Sequence, residues 1–103
     1  MSIELESWKK LELVRVQGPT AIHVDAAIDQ EGDLVLSGQD IGQAPREVFG
    51  SSDFEYFLRV RREHKDALLL ALLEQVYRDD GRAVSRLREL LAAKGIPGEF
   101  FSF

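Results

Sequence analysis

The chain has 103 residues, of which 45% are hydrophobic and 30% are charged, and its formal net charge is −5. A chain of this length builds one hydrophobic core, so we expect residues 1–103 to form a single domain. The absence of cysteine excludes disulfides and thiolate chemistry, and the acidic balance argues against a nucleic-acid partner. No apolar run is long enough to cross a membrane, and the acidic start MSIELE is unlike a secretory leader. A cytosolic protein is therefore expected. The acidic charge is compatible with a basic protein partner, and solubility alone also favours a modest negative charge.

The first predicted strand is LELVRV, from Leu11 to Val16. Its apolar alternation slips between Leu13 and Val14, which predicts a β-bulge or partial cover of both faces. Gly18-Pro19 then predicts a turn.

Residues 21–29 and 34–36 predict a β-hairpin. The stretch 21–29 alternates apolar and polar residues, with Ile22, Val24, Ala26 and Ile28 on one face and His23, Asp25, Ala27 and Asp29 on the other. The loop Gln30-Glu31-Gly32 suits a turn whose last residue is left-handed. Pairing Asp29 with Asp33 sets Ile28 opposite Leu34, so that the apolar residues of both strands share one face.

The stretch 38–53 carries three glycines and a proline, and we expect it to be irregular, with one helical turn over residues 45–49. Alternation returns in a fourth strand, Phe54 to Val60. This strand places Phe54, Tyr56, Leu58 and Val60 on the apolar side and Glu55, Phe57 and Arg59 on the other.

From residue 61 the apolar period changes to that of a helix, with a stripe formed by Leu68, Leu69, Leu72, Leu73 and Val76. Asp79-Asp80-Gly81 ends this helix and offers an N-cap carboxylate to a second one. Gly95 is expected as a left-handed C-terminal residue, with Ile96 folding back on Leu91.

Four strands followed by two helices predict an α+β fold. We expect a four-stranded, mainly antiparallel sheet with the two C-terminal helices packed on its apolar face. Three of the last four residues are phenylalanines. These rings are expected to close the core, and the alternatives are an exposed anchor or a dimer contact.

We expect no enzyme activity, cofactor or metal site. His23, Asp25 and Ser37 share one sheet face, but Ser37 lies opposite Asp25, whereas a catalytic imidazole must stand between nucleophile and carboxylate. The cluster Asp29, Glu31 and Asp33 lacks the ligand pattern of a calcium loop, and the two histidines are far apart in sequence.

The functional interpretation of the sequence depends on the outward face of the predicted sheet. The candidate partner-binding residues are an aromatic anchor and its acidic surroundings, namely Asp25, Asp40, Asp53, Glu55 and Phe57. In the alternative interpretation, Phe57 is covered by the N-terminal segment around Trp8. The sequence thus predicts a protein-binding module that occludes a basic partner, or alternatively a self-associating structural or regulatory domain, which would be a homodimer.

An ordered set of motifs resembles a group of small uncharacterised bacterial proteins, some of them similar to immunity proteins of toxin–antitoxin-like secretion systems. The motifs are Gly38-Gln39-Asp40-Ile41-Gly42, Phe54-Glu55-Tyr56-Phe57, the leucine-rich stretch 68–73 and Gly95-Ile96-Pro97 with its aromatic end. The likeness covers residues 30–103 and departs at Gly98, where a second aromatic residue is expected. It implies a non-enzymatic cytosolic binder of a toxin domain, working through the acidic face, with no catalytic residues.

Overall fold

The computed structural model describes residues 9–50 and 53–103. These fall into two compact units, a sheet unit of residues 9–66 and a helical unit of residues 67–103, which are described separately below. The elements in chain order are β1 (Lys10–Val16), β2 (Thr20–Ile28), β3 (Leu34–Gly42), α1 (Gln43–Phe49), β4 (Asp53–Val60), a 3-10 turn (Arg62–His64), α2 (Lys65–Tyr77) and α3 (Ala83–Lys94).

The four strands form an open antiparallel sheet in the order β1-β2-β3-β4. This arrangement, together with the helices, confirms the predicted α+β class. The packing of the two C-terminal helices on one face of the sheet stays a prediction, as does the single domain.

A β-bulge interrupts β1, as the slip in its sequence pattern predicts. Glu12 lies opposite Asp25 and Val14 lies opposite Val24, so that Leu13 is the extra residue. Because one extra residue inverts the alternation, Arg15 falls on the same face as Glu12 although it is three positions further along. The bulge therefore places two charged side chains of β1 on one face of the sheet.

The predicted hairpin is confirmed in its turn and its register. Asp29 donates its backbone N–H to the carbonyl of Asp33 at 2.9 Å, and Gly32 is left-handed with a φ of 85°. Ile28 lies opposite Leu34, and the pairing continues without a shift to Thr20 and Gly42. The sheet consequently has an apolar face, which carries Val14, Ile22, Val24, Leu34, Leu36, Phe54 and Leu58, and a polar face, which carries Glu12, Arg15, His23, Asp25, Ser37, Gln39, Glu55, Phe57 and Arg59.

The expectation of an irregular stretch from residue 38 is wrong for residues 38–42, which belong to β3. The reason is a cross-strand contact, because the ring of Tyr56 lies directly over Gly38 on the apolar face. A Cβ on Gly38 would lie 2.7 Å from Tyr56 Cδ2 and closer still to two other ring atoms. The ring thus supplies the cover that a strand glycine cannot supply for itself.

The helical turn predicted after β3 is confirmed as α1, which begins two residues earlier than expected. Its first backbone N–H groups are bound by the start of β2. Gln43 donates to the carbonyl of Pro19 at 3.0 Å, and Ala44 donates to Thr20 Oγ1 at 2.9 Å. These bonds satisfy donors that a short helix leaves without intrahelical partners.

Asp33 is the buried charged residue of the described chain, with 3% of its surface exposed. Its Oδ1 accepts the backbone N–H of Arg62 at 2.8 Å, and its Oδ2 accepts Nη1 of Arg59 at 3.0 Å and Nη1 of Arg61 at 3.2 Å. The Arg62 bond, followed by those from the arginine side chains, holds the pKa of Asp33 below its usual value. This Asp33 network ties the β2–β3 turn to the end of β4.

The helical unit contains α3 and most of α2, joined by a tight turn. Glu74 and Arg78, one helical turn apart, form an ion pair at 3.0 Å. Asp80 does not occupy the N-cap of α3 as expected, because the N-cap is Arg82. Asp80 instead accepts the backbone N–H of Arg82 at 2.9 Å and pairs with Arg86 at 2.8 Å. Asp79, beside it, adopts a left-handed φ of 60°.

The C-terminal residues end α3 as the sequence predicts, but their rings are not buried. Gly95 has a φ of 66°, and Ile96 donates its backbone N–H to Leu91 at 2.9 Å. The guanidinium of Arg88 lies 4.0 Å from the ring centroid of Phe100. Phe100 and Phe101 are 55% and 69% exposed, and the terminal Phe103 is fully exposed. These rings therefore close no core within the helical unit, and their expected closure of the core against the sheet stays a prediction.

Burial is low throughout the part of the chain that the structure describes. None of its hydrophobic side chains is buried, and Leu69 and Leu72 of α2 are 56% and 53% exposed. On the sheet, Ile22, Val24 and Leu36 are half-buried. The apolar face predicted from the alternation therefore exists and is only partly covered.

Candidate protein-binding face

The polar face contains a shallow depression that spans β2, β3 and β4. It is lined by His23, Asp25, Ser37, Gly38, Gln39, Glu55 and Phe57. The depression exists because the strand register sets Asp25 opposite Ser37 and Ser37 opposite Phe57, which makes a straight row across three strands. Three of the five predicted partner-binding residues, Asp25, Glu55 and Phe57, line this one depression.

Phe57 stands out from this row because 71% of its surface is exposed. Aromatic rings are enriched at the centres of protein interfaces, and polar groups form the rim around them. The alternative interpretation covers this ring with the segment around Trp8, and Trp8 lies outside the described residues.

Asp53 joins the depression through Gln39. The side-chain amide of Gln39 donates to Asp53 Oδ1 at 3.0 Å and approaches Glu55 Oε1 at 3.5 Å. One amide thus orients two carboxylates of β4 on the polar face. Gln39 is a residue that the sequence pattern did not single out, because the strand reaching it was expected to be irregular.

Asp40, the fifth predicted residue, does not lie with the other four. It lies opposite Phe54 and faces the apolar side, where it accepts the hydroxyl of Tyr56 at 2.9 Å. That hydrogen bond raises the pKa of Tyr56. Asp40 therefore holds the ring that covers Gly38, a positioning role within the sheet.

His23 stands between two carboxylates and not between a carboxylate and Ser37. Its Nε2 lies 3.3 Å from Asp25 Oδ1 and 3.6 Å from Glu12 Oε2. Ser37 lies opposite Asp25, as the predicted register requires, and His23 lies opposite Gln39. The arrangement differs from a nucleophile, imidazole and carboxylate in series.

Glu12 and Arg15 complete the face on β1 and were missed as site residues by the sequence pattern. Arg15 donates through Nε and Nη2 to the two oxygens of Glu12, both at 2.8 Å. These bonds hold the pKa of Glu12 below its usual value and raise that of Arg15. The signal that locates them is the slip at Leu13, because a bulge there turns both side chains to the face of His23.

Two groups in the described residues bring three candidate metal ligands within 4.8 Å of one another. One is Glu12, His23 and Asp25, and the other is Asp29, Glu31 and Asp33. In the second group the Asp29 and Asp33 carboxylates already bind arginine side chains and backbone N–H groups. In the first, Arg15 already binds both Glu12 oxygens. Neither group has a second feature that points to an ion, so we base no metal proposal on them.

No family model, curated protein or solved structure is significantly similar to this chain. Within residues 9–50 and 53–103, none of the helices has the length and the apolar content needed to cross a bilayer. The chemistry of the polar face is therefore the main basis for a functional proposal.

Proposed function

We propose that this chain is a small acidic protein-binding module whose polar face recognises a basic protein. The observation that carries the proposal is the exposure of Phe57, 71%, in the same depression as Asp25 and Glu55. The partner would present a cationic side chain and an apolar neighbour to this depression. Binding would cover the partner's functional surface by steric and electrostatic occlusion.

The ring and the carboxylates have separate roles in this proposal. Burying an aromatic ring of this size contributes about 1.5–3 kcal/mol, so Phe57 supplies affinity. Asp25, Asp53 and Glu55 attract a basic partner before contact and raise the association rate. Because salt screens exposed charges over about 8–10 Å, association should slow as the ionic strength rises, with a smaller effect on dissociation.

The resemblance to immunity proteins makes one form of this proposal more specific. The partner is then a basic toxin domain, and this chain is the cytosolic inhibitor that covers it. Expression of the chain would protect a bacterial cell from that toxin, and a variant with an altered polar face would not. The protection assay needs a candidate toxin gene, which a physical capture experiment can supply.

The direct test is capture of the partner from a lysate of the source cell by the immobilised chain. Asp25→Lys reverses one charge in the depression, and Glu31→Lys makes the same change in the exposed β2–β3 turn, outside the depression. We expect Asp25→Lys and Phe57→Ala to lose a basic protein that wild type and Glu31→Lys retain. Equal capture by wild type and Asp25→Lys, with both proteins folded, would exclude the polar face as the binding surface.

A further inference from the structure

The outer edge of β4 has backbone groups in a known orientation. In an antiparallel sheet, the N–H and C=O groups of successive residues point to opposite neighbours. Asp29 bonds across the hairpin towards β3, whereas Ile28 donates to Lys9 on the β1 side at 2.6 Å. The backbone N–H and C=O groups of odd-numbered β2 residues therefore point to β3, and those of the odd-numbered β3 residues opposite them point back to β2. Even-numbered residues of β3 and β4 then bond to each other. The backbone groups of odd-numbered β4 residues consequently point to the outer edge of the sheet.

Glu55, Phe57 and Arg59 consequently present their N–H and C=O groups at the end of the sheet order. Among the described residues, no backbone hydrogen bond outside the strand ladders involves these three. The ladder from Leu34–Val60 to Ile41–Asp53 contains no register shift, and the strand DFEYFLRV contains no proline or lysine. β4 thus lacks a bulge, a proline and a lysine, three of the devices that natural sheets use to block further pairing at an edge, and its charged residues are of both signs.

The other edge of the sheet is protected by such a device. β1 contains the bulge at Leu13 and begins with Lys10. A bulge twists the strand and breaks its ladder, which disfavours continuous pairing with another strand. The two edges therefore differ, and within the described part of the sheet unit β4 is the edge without a bulge or a lysine.

We infer that β4 pairs with β4 of a second copy of this chain, antiparallel and about a two-fold axis at Phe57. The sheets of the two copies then form one continuous sheet of eight strands. A two-fold axis of this kind makes the interface self-complementary, so each contact away from the axis occurs twice.

The pairing of the two Phe57 rings, together with opposite charges across the junction, favours this register. With the axis at Phe57, the two Phe57 rings are neighbours, and Glu55 lies opposite Arg59 of the second copy. Tyr56 lies opposite Leu58 of the second copy, so polar and apolar faces both continue across the junction. With the axis moved to Tyr56, Glu55 would lie opposite Phe57 and Asp53 opposite Arg59, so opposite charges would still be paired but the two Phe57 rings would no longer be neighbours. Opposite charges and aromatic pairs across strands are both stabilising.

The test uses the absence of native cysteine, which makes single-cysteine variants unambiguous. In the proposed register the two Phe57→Cys positions have Cα atoms about 5.5 Å apart, within the range of about 4.4–6.8 Å that a disulfide spans. The two Glu55→Cys positions are offset by four residues, roughly 13 Å along the strand. We expect mild oxidation to cross-link Phe57→Cys at least about tenfold faster than Glu55→Cys, following the difference in reach.

Sedimentation of the untagged full chain over a range of concentrations tests the pairing itself. Wild type should sediment as a dimer at high concentration. Glu55→Arg should raise the dimer dissociation constant at least about tenfold, because it places like charges opposite each other twice. Glu47→Arg on α1 makes the same charge change away from the edge and should sediment like wild type. A monomer at every concentration, a dimer unchanged in Glu55→Arg, or equal cross-linking at the two cysteine positions would overturn the inference.

This inference does not require the basic partner proposed above, although Glu55 and Phe57 take part in both proposals. Asp25 lies on β2, two strands away from the paired edge, so Asp25→Lys should leave the dimer unchanged while weakening capture. Failure of one proposal is thus distinguishable from failure of the other.

Discussion

Replacement of Gly38 by alanine is the sharpest test of how the sheet is held together. At an ordinary strand position this change stabilises a protein, because glycine in a strand costs roughly 0.5–1 kcal/mol relative to alanine. At Gly38 the added methyl group would overlap the ring of Tyr56, with Cδ2 at 2.7 Å and other ring atoms nearer. Since the hydroxyl of that ring is bound to Asp40, the ring cannot move away without losing the bond.

The expected cost of Gly38→Ala is therefore that of overpacking, about 1–3 kcal/mol of destabilisation. Part of it is offset because alanine loses less conformational entropy on folding than glycine does, but the overlap with an aromatic ring is the larger effect. Gly81→Ala is the matched control, because a Cβ there meets no atom within 4 Å. That control should be neutral or slightly stabilising.

Urea unfolding followed by circular dichroism gives the free energy of unfolding of each variant, with the m-value as a check that the transition is unchanged. The decisive measurement is Gly38→Ala in a Tyr56→Ala background, where the ring is gone. There the substitution should become neutral or stabilising, a non-additivity that only contacting residues show. If Gly38→Ala stabilises the otherwise wild-type chain, or costs the same with and without the ring, the account of this contact is wrong.

Two further predictions concern a carboxylate and a turn. Bonds from Arg62 and the neighbouring arginines lower the pKa of Asp33, so the stability that Asp33 contributes is present above its unfolded pKa and is lost as pH falls through the folded one. Thermal unfolding across acidic pH should show a shallower loss in Asp33→Asn than in wild type, and parallel curves would contradict this role. Asp79 holds a left-handed φ of 60°, so Asp79→Val should destabilise by about 1–2 kcal/mol in urea unfolding. Asp79→Gly should not destabilise, and equal losses in the two variants would show that the lost carboxylate, not the backbone, is responsible.

The local patterns of the sequence predict most of the sheet. The slip at Leu13 locates the bulge, and the glycine at position 32 fixes the hairpin register, because both depend only on neighbouring residues and on a period of two. The course of β3 beyond Ser37 does not follow from local pattern. Gly38 reads as a strand breaker until the ring of Tyr56, eighteen residues away in the chain, is seen to cover it.

For the candidate site too, local sequence pattern predicts some residues and misses others. Asp25, Glu55 and Phe57 are brought together because alternation places them on one face and the register aligns their strands. The sequence pattern does not assign Asp40 to a face of the sheet, because residues from 38 onward are predicted to be irregular, whereas β3 continues through Asp40. Glu12 and Arg15 can be placed together on the polar face only when the bulge is taken into account, because it inverts the alternation for the rest of β1.

The two proposals make a joint prediction about geometry. If β4 pairs with β4, the two depressions lie on one continuous polar face, and five strand spacings of about 4.8 Å separate the two β2 strands, roughly 24 Å in all. A partner with two basic sites at a matching separation would then bind both copies, and its apparent affinity would exceed that of a single contact. Glu55 takes part in both contacts, because it lines the depression and lies opposite Arg59 of the second copy. Glu55→Arg should therefore weaken capture more than Asp25→Lys does, since it removes one contact and the second copy together. Equal effects of the two variants on the affinity of a purified partner would show that the partner binds a single chain.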